Sequence, residues 1–155
     1  MLRSFIEYIL RLFTILLIKR YKPQIIAITG SIGKTSTKEA CYNVLSEKFR
    51  VRKSEKNYNT AIGVPLTFSG ISESPERSIM RWFWVFTKAM FLFFFKSKTY
   101  PEIIILELGA DKPRDIAYFM KFITPDIGVI TTISEVHLSQ FKKLSHIITE
   151  KRQVM

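Results

Sequence analysis

The chain of 155 residues is one domain's worth of sequence. Its 24 Lys+Arg against 13 Asp+Glu give a formal charge of +11, which favours anionic partners such as phosphates, nucleic acid or acidic lipid, while 47% hydrophobic and 14% aromatic residues exclude a disordered basic tail. The single cysteine, Cys41, excludes an internal disulfide framework, no Cys/His cluster has zinc-ligand spacing, and a reducing, cytoplasmic setting is expected.

Residues 1–22 begin with an apolar run that Arg3, Glu7 and Arg11 interrupt. It therefore falls short of the about 20 consecutive apolar residues of a bilayer span. No small-residue cleavage site follows, and Lys19-Arg20 closes the run, which argues against a secretory signal. The three charges recur every four residues, so they share one helical face while Phe5, Ile6, Ile9, Leu12 and Phe13 cover the rest. An apolar, amphipathic N-terminal helix is expected.

A buried strand is predicted over 25–29, Ile-Ile-Ala-Ile-Thr, followed by Gly30-Ser31-Ile32-Gly33-Lys34-Thr35 and a helix over 35–48. Strand, glycine loop and helix come in the order that a phosphate cradle requires. Gly30 and Gly33 let backbone N–H groups turn toward an anion, and the helix adds its positive N-terminal end. Lys34 is then placed to reach the β- and γ-phosphates and the Thr35 hydroxyl to hold Mg2+. The nucleotide-binding set is Thr29, Gly30, Ser31, Ile32, Gly33, Lys34, Thr35 and Ser36. The strict Walker pattern asks for a glycine where this chain has Ile28, so the bland alternative is a tight turn with a surface lysine.

A second strand is predicted over 49–53 and a short helix over 62–68, with Pro65 in its first turn. Residues 70–78 form a polar linker. Residues 79–95, IMRWFWVFTKAMFLFFF, read as an aromatic helix with Arg77 and Arg81 at one end and Lys96 and Lys98 at the other. Two readings of this helix and of the N-terminal one stand side by side. In one they cover the core or each other; in the other they lie at an anionic membrane surface, with Trp82, Trp84 and the flanking bases at headgroup level. Further strands are expected over 103–108 and 127–132, and helices over 113–122, with Pro113 in the first turn, and over 139–151. The expected fold class is α/β, a P-loop-type, mostly parallel sheet flanked by helices.

Four sequence features resemble the ATP-binding central domain of the Mur ligases, which join amino acids or peptides to the muramoyl precursor of the bacterial cell wall. The first is the short loop form T-G-x-x-G-K-T at residues 29–35. The second is Asn57-Tyr58-Asn59-Thr60-Ala61-Ile62-Gly63-Val64-Pro65-Leu66, similar to the stretch of the family members that add D-alanyl-D-alanine. The third is Glu107-Leu108-Gly109-Ala110-Asp111 at the end of a strand; the fourth is His137-Leu138 with Lys151 fourteen residues after the histidine. The resemblance spans residues 25–151. Where the family has a glycine before an acidic residue, this chain has Arg114 before Asp115, and it carries an aromatic insertion at about residues 71–100. It divides the chain into a helix over 1–22 and a partial central domain over 23–155.

The resemblance implies the cofactors ATP and Mg2+ and a set of roles. Glu107, at the carboxyl end of a buried strand, coordinates Mg2+ with Thr35; His137 is a second metal ligand or phosphate neighbour; Lys151 is carbamylated by CO2 and so becomes a metal-facing anion. Asn59 and Thr60 lie near the transferred phosphoryl group. Without the resemblance, Glu107 would be a capping or salt-bridged glutamate, Asn59 and Thr60 a helix cap, Lys151 a solvated lysine and His146 a surface residue. The implied catalytic set is Lys34, Asn59, His137 and Lys151. The implied reaction transfers the γ-phosphate of ATP to a carboxylate of a UDP-muramoyl peptide, and the amine of an amino acid or dipeptide then attacks the acyl phosphate.

The family's sugar-binding and C-terminal domains have no counterpart in residues 1–155, so negligible turnover is expected of these residues alone, and a missing C-terminal half is an expected partner. The competing reading is a membrane-associated ATP-binding fragment or split half without catalysis of its own. A kinase or GTPase is disfavoured by the absence of a D-x-x-G or N-K-x-D signature. No nucleic-acid partner is expected, because the bases are scattered without aromatic alternation outside the apolar helix. Localisation is expected to be cytoplasmic, peripheral on the inner face of the cell membrane.

Overall fold

Three apolar runs and the short basic segment Val51-Arg52-Lys53 pair into one sheet in the computed structural model, which describes residues 2–55, 58–73, 75, 78–134 and 138–155. The strands are β1 (Gln24–Thr29), β2 (Val51–Lys53), β3 (Ile103–Glu107) and β4 (Ile127–Ile130), in the order β2-β3-β1-β4 and parallel throughout. Helices α1 (Leu2–Tyr21), α2 (Lys34–Ser46), α3 (Gly63–Ser69), α4 (Ile79–Phe94), α5 (Asp115–Met120), α6 (Leu138–Phe141) and α7 (Leu144–Lys151) surround it, and a 3-10 turn at Arg152–Val154 closes the chain.

The continuous apolar runs of β1 and β3 are explained by burial on both faces, whereas β4 is half-buried and Ile127 is exposed. Ile25, Ala27, Ile104 and Leu106 point into the larger cluster with Phe68, Phe119 and Ile147, whereas Ile26, Ile28, Ile103 and Ile105 meet Cys41, Tyr42 and Leu45 of α2. In register, Ile28 lies beside Glu107 and Thr29 beside Ile130, so the carboxyl ends of β1, β3 and β4 meet at one edge. That edge is where ligands bind in open α/β sheets.

Helix α1 packs on α3 and α4, burying Leu10, Thr14 and Leu17. Helix α4 turns Val85 and Ala89 inward, and Phe13 of α1 stacks against Phe86 at 6.3 Å. For α1 the core-covering reading therefore holds along most of its length, while α4 leaves one whole face bare. Among the described residues no helix is long and apolar enough to cross a membrane.

Several expected boundaries shift, α2 ending at Ser46 and β4 at Ile130, each two residues short of the expectation. Helix α5 starts at Asp115, not Pro113, because Arg114 takes a left-handed φ of 75° and closes the preceding turn. The helix expected over 139–151 is two helices, broken at Lys142, whose φ is 63°. His146 ties this corner together, its Nδ1 lying 2.7 Å from the Phe141 carbonyl oxygen. Strand β2 starts at Val51, since Phe49 still donates to the Leu45 carbonyl at the end of α2. Pro65 sits in the first turn of α3, as expected.

Candidate functional site

The segment between β1 and α2 is held as a cradle by the polypeptide just beyond β4. Ser31 N–H donates to the Thr132 carbonyl at 2.6 Å, Thr131 Oγ1 donates to the Ile32 carbonyl at 2.6 Å, and Ser134 N–H donates to Ser31 Oγ at 3.0 Å. Only glycine fits at position 30: its φ is 155°, and a Cβ there would lie 1.9 Å from Thr131 Oγ1. Gly33, at φ 86°, turns the chain into α2, so the free N–H groups of the first helical turn face the loop. Thr131 and Ser134 were not singled out from the sequence, where they are a short polar run at a strand end.

Lys34 folds back over this loop, donating from Nζ to the Gly30 carbonyl at 2.9 Å and to Ser31 at 3.5 Å. Ile32 and Ser36 are exposed, and Thr29 is fully buried, its carbonyl accepting from Thr131 N–H at 2.9 Å. The Thr29 hydroxyl has no hydrogen-bond partner among the described residues.

At the end of β3, Glu107 reaches across to the loop. Thr35 Oγ1 lies 3.0 and 3.1 Å from its two carboxylate oxygens, and Lys38 Nζ is 3.1 Å from Oε2. Lys38 is only 1% exposed; it also pairs with Glu39 at 3.8 Å, and Glu39 in turn contacts Lys53. Ser54 Oγ accepts from Glu107 N–H at 3.0 Å and fixes the strand end. Lys38 was missed by sequence reading, although it lies one helical turn after Lys34 and so on the same face of α2. Among the described residues no cluster of three or more His, Cys, Asp or Glu could hold a metal alone. One hydroxyl and one carboxylate fit Mg2+, which is ordinarily held by one or two carboxylates together with substrate phosphates.

Lys151 ends α7 and is 2% exposed, which corrects the solvated-lysine reading of its composition. Burial first, and then the nearby Lys34 ammonium, push the Lys151 ammonium below the ordinary lysine value. Its neighbour Glu150 anchors the helix: Oε1 accepts from the N–H groups of Ile116 at 2.8 Å and Ala117 at 3.2 Å, and Oε2 from Arg114 N–H at 2.8 Å. That clamp holds Arg114 in the left-handed conformation otherwise suited to glycine. The role of Glu150 was not foreseen either.

Thr60 Oγ1 accepts from Gly63 N–H at 3.1 Å, a turn-capping contact, while Asn59 lies over the end of β3, its Nδ2 2.7 Å from where a Cβ on Gly109 would stand. Both line a cleft of about 560 Å3 with Gly109, Asp111, Arg114 and, from α1, Arg3. His137, Asn57 and Arg77 lie outside the described residues.

Comparison with known proteins bears on this edge of the sheet. The sequence matches the Mur ligase middle domain over residues 28–80 and 88–155. It is 33% identical over 130 residues to the UDP-N-acetylmuramoyl-tripeptide–D-alanyl-D-alanine ligase of Buchnera aphidicola, covering 84% of this chain and 23% of the relative. It is 28% identical over 155 residues to the ligase of the same name from Borreliella burgdorferi, covering 100% and 28%. The chain thus spans about a quarter of the length of the curated relatives it matches. The crystal structure of MurF ligase from Thermotoga maritima in complex with ADP superposes with a TM-score of 0.72 at 27% identity, covering 96% of this chain and 29% of that one.

Proposed function

The chain belongs to the Mur ligase middle-domain family, and from that premise we propose that it is the ATP-binding part of an amide ligase of peptidoglycan precursor synthesis. The observation that carries this reading is the meeting of the 30–35 cradle and the Thr35–Glu107 pair at one sheet edge, with the buried Lys151 near enough to Lys34 for their charges to interact. The relatives' names supply the substrates: a UDP-muramoyl tripeptide and D-alanyl-D-alanine. The helix over 1–22, the partial central domain over 23–155 and the aromatic insertion at about 71–100 are the domains of this proposal.

In this reading the N–H groups of residues 30–36 bind the phosphates, and Lys34 exchanges its contact with the Gly30 carbonyl for a phosphate oxygen. Thr35 and Glu107 hold Mg2+, joined by His137 and Lys151. Bound Mg2+ supplies neutralising charge where the substrate carboxylate and the γ-phosphate approach each other. Lys38 keeps Glu107 turned toward Thr35. The lowered proton affinity of Lys151 favours its free amine, whose lone pair can add to CO2 with release of one proton, leaving a carbamate anion. Asn59 positions the substrate carboxylate from above β3. We further read the protein as cytoplasmic and peripheral on an anionic membrane surface, on the evidence of its charge and the bare face of α4.

The test supplies a relative's sugar-binding and C-terminal regions in trans, with ATP, Mg2+, UDP-muramoyl tripeptide and D-alanyl-D-alanine. Phosphate release is expected only with the full mixture and is lost with Lys34→Ala. Release by residues 1–155 alone, dependent on both substrates, would contradict the need for a second part. ATP binding with no release from any mixture would reduce the reading to a binding fragment.

A further inference from the structure

Helix α4 is apolar on two sides, and only one of them is covered. Val85 and Ala89 face α1 and α3, whereas Met80, Phe83, Trp84, Phe91 and Phe94 follow one another at helical spacing along the opposite face. Phe83 is 71% and Trp84 62% exposed. An exposed apolar strip of this kind, interrupted only by Thr87, marks a contact surface.

Directly beyond its C-terminal end lies a cleft of about 260 Å3 into which separate segments bring Lys22, Arg50, Lys96 and Lys98. Glu102 also lines it, and Arg50 engages that carboxylate twice, through N–H at 3.0 Å and the guanidinium at 3.2 Å, so the three lysines are in excess. The walls are fixed. Tyr21 Oη donates to the Leu92 carbonyl at 2.7 Å and accepts from Ser97 N–H at 3.0 Å, while its ring stacks on Tyr100 at 3.7 Å. Lys22 closes α1 with a left-handed φ of 49°, a position where glycine would be unstrained. Its side chain lines the cleft, and strain at such a position is retained where the local structure has a use for it.

We infer that the bare face of α4 and the lysine cleft at its end form one docking surface for an anionic phospholipid bilayer, an inference that rests on the peripheral-membrane reading above. The aromatic strip enters the interface with Trp84 at headgroup depth, and Lys22, Lys96 and Lys98 receive lipid phosphates. Charge decides against a second copy of the chain as the occupant: two molecules of net charge +11 repel, whereas an anionic leaflet attracts.

The test is flotation of the 155-residue chain with phosphatidylcholine vesicles with and without phosphatidylglycerol, with tryptophan emission read in parallel. Binding only to the anionic vesicles, with a blue shift in emission, is expected. The double variant Lys96→Glu/Lys98→Glu should bind roughly thirtyfold or more weakly. Lys121→Glu/Lys143→Glu, the same charge change on other exposed lysines, should cost far less. Phe91→Ser/Phe94→Ser should abolish the blue shift while leaving the circular dichroism and ATP binding unchanged. Equal losses from the two lysine pairs would overturn the cleft and leave general membrane attraction standing. No flotation of the wild type would overturn both. A lipid-free dimer abolished by Phe91→Ser/Phe94→Ser would give the face to a second copy and overturn the inference.

Discussion

Lys38 and Lys151 are both lysines buried in the interior, and their surroundings differ. Lys38 has Glu107 at 3.1 Å, so its charge is matched. Removing one partner of a buried pair leaves the other exposed to the full cost of burial, but Glu107 is partly solvated and can relax toward water. Lys38→Met should therefore lower stability by about 1–3 kcal/mol in urea unfolding. It should also weaken ATP binding in Mg2+ while leaving binding in EDTA nearly unchanged, if Glu107 holds Mg2+ as proposed, because only that carboxylate is disturbed. Lys151 is different, since burial and Lys34 both disfavour its charge. The unfolded chain binds that proton more tightly, so wild-type stability rises with pH between the depressed folded value and the ordinary lysine value of about 10.4. Lys151→Met lacks this rise, and its advantage over wild type at neutral pH should shrink as pH climbs through that window in thermal melts. Lys34, Thr35 and Glu107 were legible in the sequence because a loop motif or a strand end marks their place. Lys38 and Glu150 were not, because a buried, paired charge has the same letters as a solvated one.

At the level of elements, β1 and β3 were readable from wholly apolar runs that only a doubly covered sheet accommodates, and α2 from the glycine loop before it. Several ends were not readable. Arg114 and Lys142 take left-handed conformations without being glycine, so no local signal announces that α5 starts late or that the last helix breaks. What holds the first of these turns is distant in sequence: Glu150 accepts three backbone N–H groups at the start of α5. These are charge-assisted bonds at a helix N-terminus, where a carboxylate is favoured. Glu150→Gln should destabilise the protein by about 1.5–3 kcal/mol in denaturant unfolding. The same change should loosen the adjoining Lys151, seen as faster amide exchange over residues 144–151. Such a loss with no change at α5 would place the anchor elsewhere.

For the whole molecule, the order β2-β3-β1-β4 puts the 30–35 loop, Glu107 and the segment beyond β4 on one edge. The N-terminal segment lines both clefts, Arg3 of α1 the Asn59 cleft and Lys22, just after α1, the lysine cleft. The architecture was visible in advance as a strand–helix rhythm, but which apolar helix faced inward was not, because the more apolar and aromatic α4 is the one that leaves a face bare, while the more charged α1 packs on the core. The central claim is that the loop is a working ATP cradle whose lysine and metal-facing pair act together. Titration calorimetry of ATP into the 155-residue chain and its Lys34→Ala variant, with Mg2+ and with EDTA, tests it most directly. Saturable binding that Mg2+ strengthens, and that Lys34→Ala weakens on the order of a hundredfold, is the predicted result. Equal affinity of wild type and variant, or indifference to Mg2+, would contradict it.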